Sequence, residues 1–214
     1  MKKYLVILFC LLGLGVSQSA NALTFNLTSN HCDPALPCGA PGTIFGQVIV
    51  TQNGTSVDIT VDLFGPYVYA KTGSVDFLAF KFNATDVTLA DITILQNPFA
   101  PQTLVAQTGT FNGDGTGAFS FGLNCTTCGN GISTVNGDIV FRVANATIAD
   151  LTAPNANGNV FVADIGCAAG PTCTAGATGP IDATTAVPDG GATVTLLGSA
   201  LLGLAMLRRR FGKS

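Results

Sequence analysis

Apolar and polar residues alternate over two neighbouring stretches in the first third of the chain. Val48 and Val50 are two residues apart between Gln47 and Thr51, and residues 57–63 alternate strictly with this two-residue period. This period is typical of a β-strand with one buried face. Asn53-Gly54 lies between the stretches and predicts a type I′ turn, which needs positive φ at both central residues. The pattern therefore predicts a β-hairpin.

Further segments with strand composition recur along the chain, separated by Gly and Pro clusters. Helix-forming residues are scarce, whereas Val, Thr, Phe, Gly and Asn are abundant. We predict an all-β fold, a two-sheet antiparallel β-sandwich with a jelly-roll-like arrangement of roughly eight to ten strands. Residues 146–151 fit either a short helix or a strand edge. The other predicted strands are 74–82, 91–95, 104–111, 118–123, 138–143 and 159–165.

The first 22 residues have the pattern of a secretory signal peptide. Lys2 and Lys3 precede an apolar core, and Ala20 to Ala22 offers small residues for cleavage. Removal of this segment leaves a body that we place at residues 23–173. A Gly/Ala/Thr-rich linker is predicted at 174–186.

The body is strongly acidic once its two ends are set aside. Counted together with the linker, over residues 23–186, its basic residues are Lys71, Lys81 and Arg142, against eleven aspartates, so the net charge is about −8. The chain has no Glu and no Trp. Nucleic-acid binding depends on clustered cations, so we expect no nucleic-acid partner.

Cysteines outside the signal peptide fall in three close pairs. An even number of cysteines in an exported domain indicates disulfides. Six cysteines allow fifteen connectivities, and proximity along the chain favours local pairing. The expected pairs are Cys32 with Cys38, Cys125 with Cys128, and Cys167 with Cys173.

The Cys125 to Cys128 pair also has the C-x-x-C spacing of redox and metal sites. A redox site needs a setting that lowers the thiol pKa, such as a helix N-terminus. Here Gly and Asn surround the motif and a β context is predicted. A structural disulfide is therefore the favoured interpretation.

Few other residues have the spacing of a catalytic or metal site. Asn112, Asp114 and Thr116 resemble the start of a calcium loop, but the acidic residue that completes such a loop is missing. They are a weak calcium candidate, and a Gly-rich turn explains them equally well. His31 is the chain's one histidine, and nothing near it resembles a nucleophile.

Asp58 and Asp62 share one strand face, about 13 Å apart at 3.3 Å per residue. That separation exceeds the one expected for a glycosidase carboxylate pair, so a solvated face is favoured. We expect no catalytic residue, no metal site and no cofactor.

Residues 192–207 form an uncharged apolar run that is followed by Arg208, Arg209 and Arg210. A transmembrane helix needs roughly 20 apolar residues, so this run is slightly short, and flanking arginines can compensate by snorkelling. We predict one transmembrane helix with the arginines as a cytoplasmic stop-transfer signal. From spacing alone, an ordinary membrane anchor is an equally good interpretation.

The order of features in residues 187–214 helps to decide whether this segment is only an ordinary membrane anchor. Val187-Pro188-Asp189-Gly190-Gly191, the apolar run and the arginines resemble the VPDSG-CTERM sorting signal, a variant of the PEP-CTERM signals of Gram-negative bacteria. Gly190 stands where the name-giving pattern has Ser. The resemblance implies an exosortase-like enzyme that cuts near the motif. It also implies anchoring in the inner membrane during transit, then delivery to the cell surface or extracellular matrix.

Three functions fit these observations. The favoured one is an exported, non-catalytic cell-surface or matrix protein, with extracellular polysaccharide as a possible partner. The alternative is a carbohydrate-binding or adhesive β-sandwich module, although aromatic residues for stacking on sugars are scarce. A hydrolase that uses aspartates is the third, and it requires an Asp pair in a concave pocket.

Overall fold

The computed structural model describes residues 22–71, 78–132, 135–168, 170, 173–187, 198 and 201. These residues form fourteen β-strands, three of which have only two residues, together with one short α-helix and one 3₁₀ turn. The strands are β1 (Ala22–Leu27), β2 (Ser29–Asn30), β3 (Gly46–Asn53), β4 (Ser56–Leu63), β5 (Tyr67–Lys71), β6 (Leu78–Phe82), β7 (Ile92–Gln96), β8 (Leu104–Gly113), β9 (Gly117–Cys125), β10 (Gly131–Ile132), β11 (Ile139–Ala144), β12 (Phe161–Cys167), β13 (Thr178–Ala183) and β14 (Ala186–Val187). Helix α1 spans Ile148–Leu151, and the 3₁₀ turn spans Leu89–Asp91.

The first sheet has the strand order β14-β1-β3-β4-β11-β7, and its neighbouring strands are antiparallel. On β4 every second residue is buried, from Val57 to Leu63, as the two-residue period predicts. The β3–β4 register runs without a bulge from Gly46 opposite Leu63 to Asn53 opposite Ser56. The predicted hairpin is confirmed.

The turn of this hairpin differs from the prediction. Asn53 is the last residue of β3, so the two-residue loop is Gly54-Thr55. Gly54 has a φ of 62°, and neither Asn53 nor Thr55 has positive φ. Positive φ at the first loop residue alone is the pattern of a type II′ turn, in which Gly takes that position.

The second sheet is organised around β12, whose seven residues are all buried. Strand β13 pairs with β12 from Phe161 to Gly166. The opposite edge of β12 is shared end to end by β5 and β6, with Tyr69 opposite Ile165 and Phe80 opposite Ala163. Strands β9 and β8 continue the sheet beyond β6, while β10 pairs with β5 and β2 with β13.

Aromatic side chains join the two sheets. Phe25 of the first sheet meets Phe161 of the second edge to face, with ring centroids 5.0 Å apart. The ring of Phe141 is tilted against that of Phe82, with centroids 5.3 Å apart. The buried Tyr69 hydroxyl donates to the carbonyl of Val61 across the layers at 3.0 Å, and burial raises the pKa of this phenol. The two sheets therefore pack face to face around one core.

The prediction of an all-β fold with two antiparallel sheets is confirmed. The jelly-roll-like arrangement stays a prediction. Residues 146–151, left open between helix and strand, contain α1. Thr147 begins this helix: its backbone N–H and its hydroxyl both donate to Asp150 Oδ2, at 2.8 and 2.7 Å.

The linker predicted at 174–186 is wrong for residues 178–183. These residues form β13, which is largely buried and pairs with both β12 and β2. Gly179 and Pro180 favoured the linker prediction, because Gly and Pro are rare inside strands. Gly179 is required here, since an added Cβ would lie 2.8 Å from Cys32 Cα.

Candidate functional site

The two ends of the body meet at one corner of the first sheet. Thr24 of β1 is opposite Val187 of β14, and Phe25 is opposite Ala186. We call these four residues the chain-end corner. The predicted signal-peptide cleavage point is at the start of β1, and the first residue of the predicted sorting motif is in β14. Segments that extend beyond either strand therefore leave the body from the same place.

The two strands of this corner are held very differently. Strand β1 pairs with β3 over all six of its residues, and its Phe25 and Leu27 side chains are buried in the core. Within the described residues, strand β14 pairs with β1 at two positions, and Val187 is 39% exposed. Thr184 and Thr185, which lead into β14, are exposed. Among the described residues, the corner thus joins a fully paired strand to one whose Val187 side chain is partly exposed.

The remainder of the predicted sorting segment lies outside the described residues. This applies to Pro188, Asp189, Gly190 and Gly191 of the motif, to Arg208, Arg209 and Arg210, and to the signal peptide. Gly198 and Leu201, the two described residues within the predicted transmembrane helix, are helical. Across the described part of the chain, no helix is long and apolar enough to cross a membrane.

Three disulfides form between cysteines that are close in sequence. The Cα atoms are 5.9 Å apart in Cys32–Cys38, 5.4 Å in Cys125–Cys128 and 6.1 Å in Cys167–Cys173. The first and third bridges meet the core, since Cys38 and Cys167 are fully buried. Disulfides persist in oxidising compartments, so these three disulfides agree with an exported body.

The Cys125–Cys128 bridge closes a turn that Lys71 holds from the neighbouring strand. The Lys71 ammonium donates to the carbonyls of Cys125 and Cys128, at 3.2 and 3.0 Å. A small apolar cavity lies beside the bridge, lined by Tyr69 and Phe99 among others. No helix begins at the motif, so the feature that would favour a reactive thiol is missing there.

His31 binds a buried carboxylate. Its Nε2 atom is 2.8 Å from Asp182 Oδ2, and Asp182 is only 2% exposed. The Gly115 turn packs against the same ring, because a Cβ added at Gly115 would lie 2.6 Å from His31 Nδ1. The histidine therefore ties β13 to the β8–β9 hairpin, and its contacts are those of a structural residue.

A buried charge pair lies on the same sheet. Lys81 of β6 and Asp164 of β12 are 1% and 5% exposed, with Nζ and Oδ2 3.6 Å apart. Sequence reasoning missed this contact, since both residues lie in largely apolar segments. The one sequence feature that points to such a contact is the small number of cations. In a body with three basic residues, each of them lies against oxygen acceptors.

The weak calcium candidate forms a hairpin turn. Asn112 and Asp114 are exposed, whereas Thr116 is fully buried. The Thr116 carbonyl accepts hydrogen bonds from the side-chain amides of Asn155 and Asn159, both at 2.8 Å. These bonds hold Thr116 as a buried structural residue of the turn between β8 and β9. In the described ranges, no group of three or more His, Cys, Asp or Glu residues could hold a metal ion.

The aspartates of β4 have separate partners on the outer face of the first sheet. Arg142 donates to both carboxylate oxygens of Asp58, at 2.6 and 2.8 Å, and these bonds hold the pKa of Asp58 below its ordinary value. Asp62 accepts from the Gln47 amide at 3.1 Å. Burial, and then the charge of Asp62, raise the pKa of Asp138. Asp62 and Asp138 are therefore neighbours, but neither lines the cavity beside Cys125–Cys128.

Comparison with known proteins adds one finding. No curated protein and no solved structure matches the chain. A family model described as the VPDSG-CTERM motif matches residues 186–211, which begin in β14. The resemblance drawn from Val187-Pro188-Asp189, the apolar run and the arginines is thereby confirmed. The chain carries a VPDSG-CTERM motif, which supports an exported protein with a C-terminal sorting signal.

Proposed function

We propose that this protein is an exported, non-catalytic cell-surface or matrix protein of a Gram-negative bacterium. A signal peptide at 1–22 directs export, and a helix at 192–207 anchors the chain in the inner membrane. Arg208 to Arg210 stop its transfer. An exosortase-like enzyme then cuts near the motif and releases the body. The observation that carries this proposal is the VPDSG-CTERM match at residues 186–211.

The arrangement of the chain ends supports membrane anchoring in transit. Because Thr24 and Val187 are register partners, the signal peptide and the sorting segment would leave the body at one point. A membrane could hold both segments without distorting either sheet. The body itself would remain folded on the outer side of the membrane.

The contacts of the ionisable residues support a non-catalytic body. Lys71, Lys81 and Arg142 each contact oxygen acceptors of neighbouring strands or turns. His31 is bound to Asp182, and Asp58 to Arg142. Groups committed to such contacts are poorly placed to act as nucleophile or general base.

The carbohydrate-binding alternative has weaker support. Stacking on sugars needs exposed aromatic rings, and both described tyrosines, Tyr67 and Tyr69, are buried. Among the large hydrophobic residues that the structure shows as exposed, Phe64 is the aromatic one. Specific glycan binding by the purified body, with or without calcium, would favour this alternative.

Substitutions in the motif test the proposal in the native host. Pro188→Ala and Asp189→Ala should leave a full-length chain in the membrane fraction, whereas the unchanged protein should be shortened and found outside the inner membrane. Thr184→Ala is the matched control, because Thr184 is exposed just upstream of the matched segment. An unchanged protein that stays full-length in the membrane, like the variants, would contradict the proposal.

A further inference from the structure

We propose that Lys81 and Asp164 form a modification site, at which their side chains condense to an amide bond that links β6 to β12. The lysine Nζ becomes bonded to the aspartate Cγ, and one water molecule is released. This inference goes beyond the proposed function and does not depend on it, because both residues lie in the second sheet and neither belongs to the sorting segment.

The first step of the argument is how the fold places the two reacting groups. Lys81 is opposite Val162 in the β6–β12 register, and Asp164 is two residues further along β12, so both side chains project from the same face of the sheet. Their Nζ and Oδ2 atoms are 3.6 Å apart. Because Cγ is bonded to Oδ2, a small rotation of the lysine side chain brings Nζ to the roughly 3–3.5 Å from Cγ at which attack begins.

The second step is the burial of the pair. Lys81 is 1% exposed and Asp164 is 5% exposed. Taking two ions out of water is costly, and their attraction offsets this cost only where the geometry of the pair is excellent. A charge-assisted hydrogen bond measures about 2.7–2.9 Å, and the 3.6 Å between Nζ and Oδ2 is longer. Condensation removes both charges, so the buried site favours the amide over the ion pair.

The atoms of this reaction balance within the pair. One ammonium proton passes to the carboxylate, which leaves a neutral amine as the nucleophile beside a neutral carboxylic acid. Nζ attacks Cγ and a C–N bond forms. A second nitrogen proton passes to the hydroxyl, the C–O bond breaks and water departs, while the third proton stays on the amide nitrogen. Groups held in contact react as if at very high concentration, and this replaces an external activating reagent.

The amide would connect parts of the chain that the disulfides leave unconnected. The paired cysteines are three or six residues apart. Lys81 and Asp164 are far apart in sequence and lie in neighbouring strands of the second sheet. An amide is not cleaved by a thiol reductant, so β6 and β12 would remain joined when the three disulfides are reduced.

The intact mass of the protein from its native host, measured under denaturing conditions, tests this inference. We expect a mass lower by one water molecule than that of the same chain with its three disulfides. After reduction, trypsin should fail to cut at Lys81 and should yield a branched peptide in which Lys81 is joined to Asp164. An amine-acylating reagent should label Lys71 in the denatured protein and leave Lys81 unlabelled. Lys71 is the internal control, because its Nζ contacts the backbone carbonyls of Cys125 and Cys128, which do not condense with amines.

Asp164→Ala is the matched variant, because it removes the carboxyl group and keeps the lysine. Its mass should show the disulfides alone, and Lys81 should be labelled as fully as Lys71. Where this variant fails to fold, labelling of the unchanged protein decides the question by itself. An unchanged protein with no loss of water and equal labelling of both lysines would overturn the amide and leave an ordinary ion pair. Loss of water at another position, with Lys81 still labelled, would overturn it as well.

Discussion

At the scale of single residues, the body places its few cations where they hold strands together. Arg142 of β11 forms a salt bridge with Asp58 of β4, and Lys81 of β6 forms one with Asp164 of β12. With a net charge of about −8 in the body, each cation offsets repulsion among the aspartates as well as forming a local contact. Two consequences can be measured.

The first concerns acid stability. Asp58 has a folded pKa below its ordinary value of 3.8, so its contribution is present above that pH and is lost as the pH falls through the folded pKa. Asp58→Asn should therefore lower the urea midpoint at neutral pH and weaken its fall as the pH drops below 3.8. Asp138 has a raised pKa, so its charged form opposes folding at neutral pH. Asp138→Asn should shift the neutral midpoint in the opposite direction, and equal shifts for both variants would contradict this account.

The second concerns the buried pair. Lys81→Met leaves the Asp164 carboxylate without its cation in a site that is 5% exposed. Removing one member of such a pair costs about 3–5 kcal/mol of unfolding free energy. Adding Asp164→Asn should recover part of that loss, measured by urea denaturation. A double variant that loses the sum of the two single effects would show that the pair is not coupled.

At the scale of elements, strands with a two-residue period or a long apolar run, such as β4 and β12, were predictable, whereas β1, β5 and β13 were not. The hairpin β3–β4 follows from its two-residue period, because one face meets the core and the other meets water. Strand β13 is buried and contains Gly179 and Pro180, so neither period nor composition marks it. Strand β1 lies next to the predicted signal peptide and was not predicted as a strand. The disulfide pairs were predictable by proximity, whereas contacts such as Lys81–Asp164 depend on register between distant strands.

The β3–β4 turn gives a prediction at this scale. Gly54 has a φ of 62°, a region that costs an L-residue about 1–2 kcal/mol. Gly54→Ala should lower the unfolding free energy by that amount, although a Cβ there would meet no atom within 4 Å. Gly129→Ala is the matched control, because its Cβ would also meet nothing and its φ is not positive. Equal effects of the two substitutions would contradict the turn assignment.

At the scale of the whole molecule, the fold returns the end of the body to its beginning. The described strands run through both sheets, and the last of them, β14, pairs with β1 at the start of the body. Composition predicted the all-β class, and the tail predicted the sorting motif that the comparison confirms. The meeting of the two ends could not be predicted, because it depends on strand order. Because of this meeting, the predicted signal peptide and the sorting motif, the two export signals of the proposal, join the body at one place.

The intact mass of the protein from its native host, measured without reduction after cell fractionation, tests the central claim most directly. The account predicts a body outside the inner membrane that begins near Leu23 and ends near Val187. Its mass should be lower by two hydrogens for each of the three disulfides. A mass that still includes Arg208 to Arg210, found only in the membrane fraction, would contradict processing and identify a permanently anchored protein.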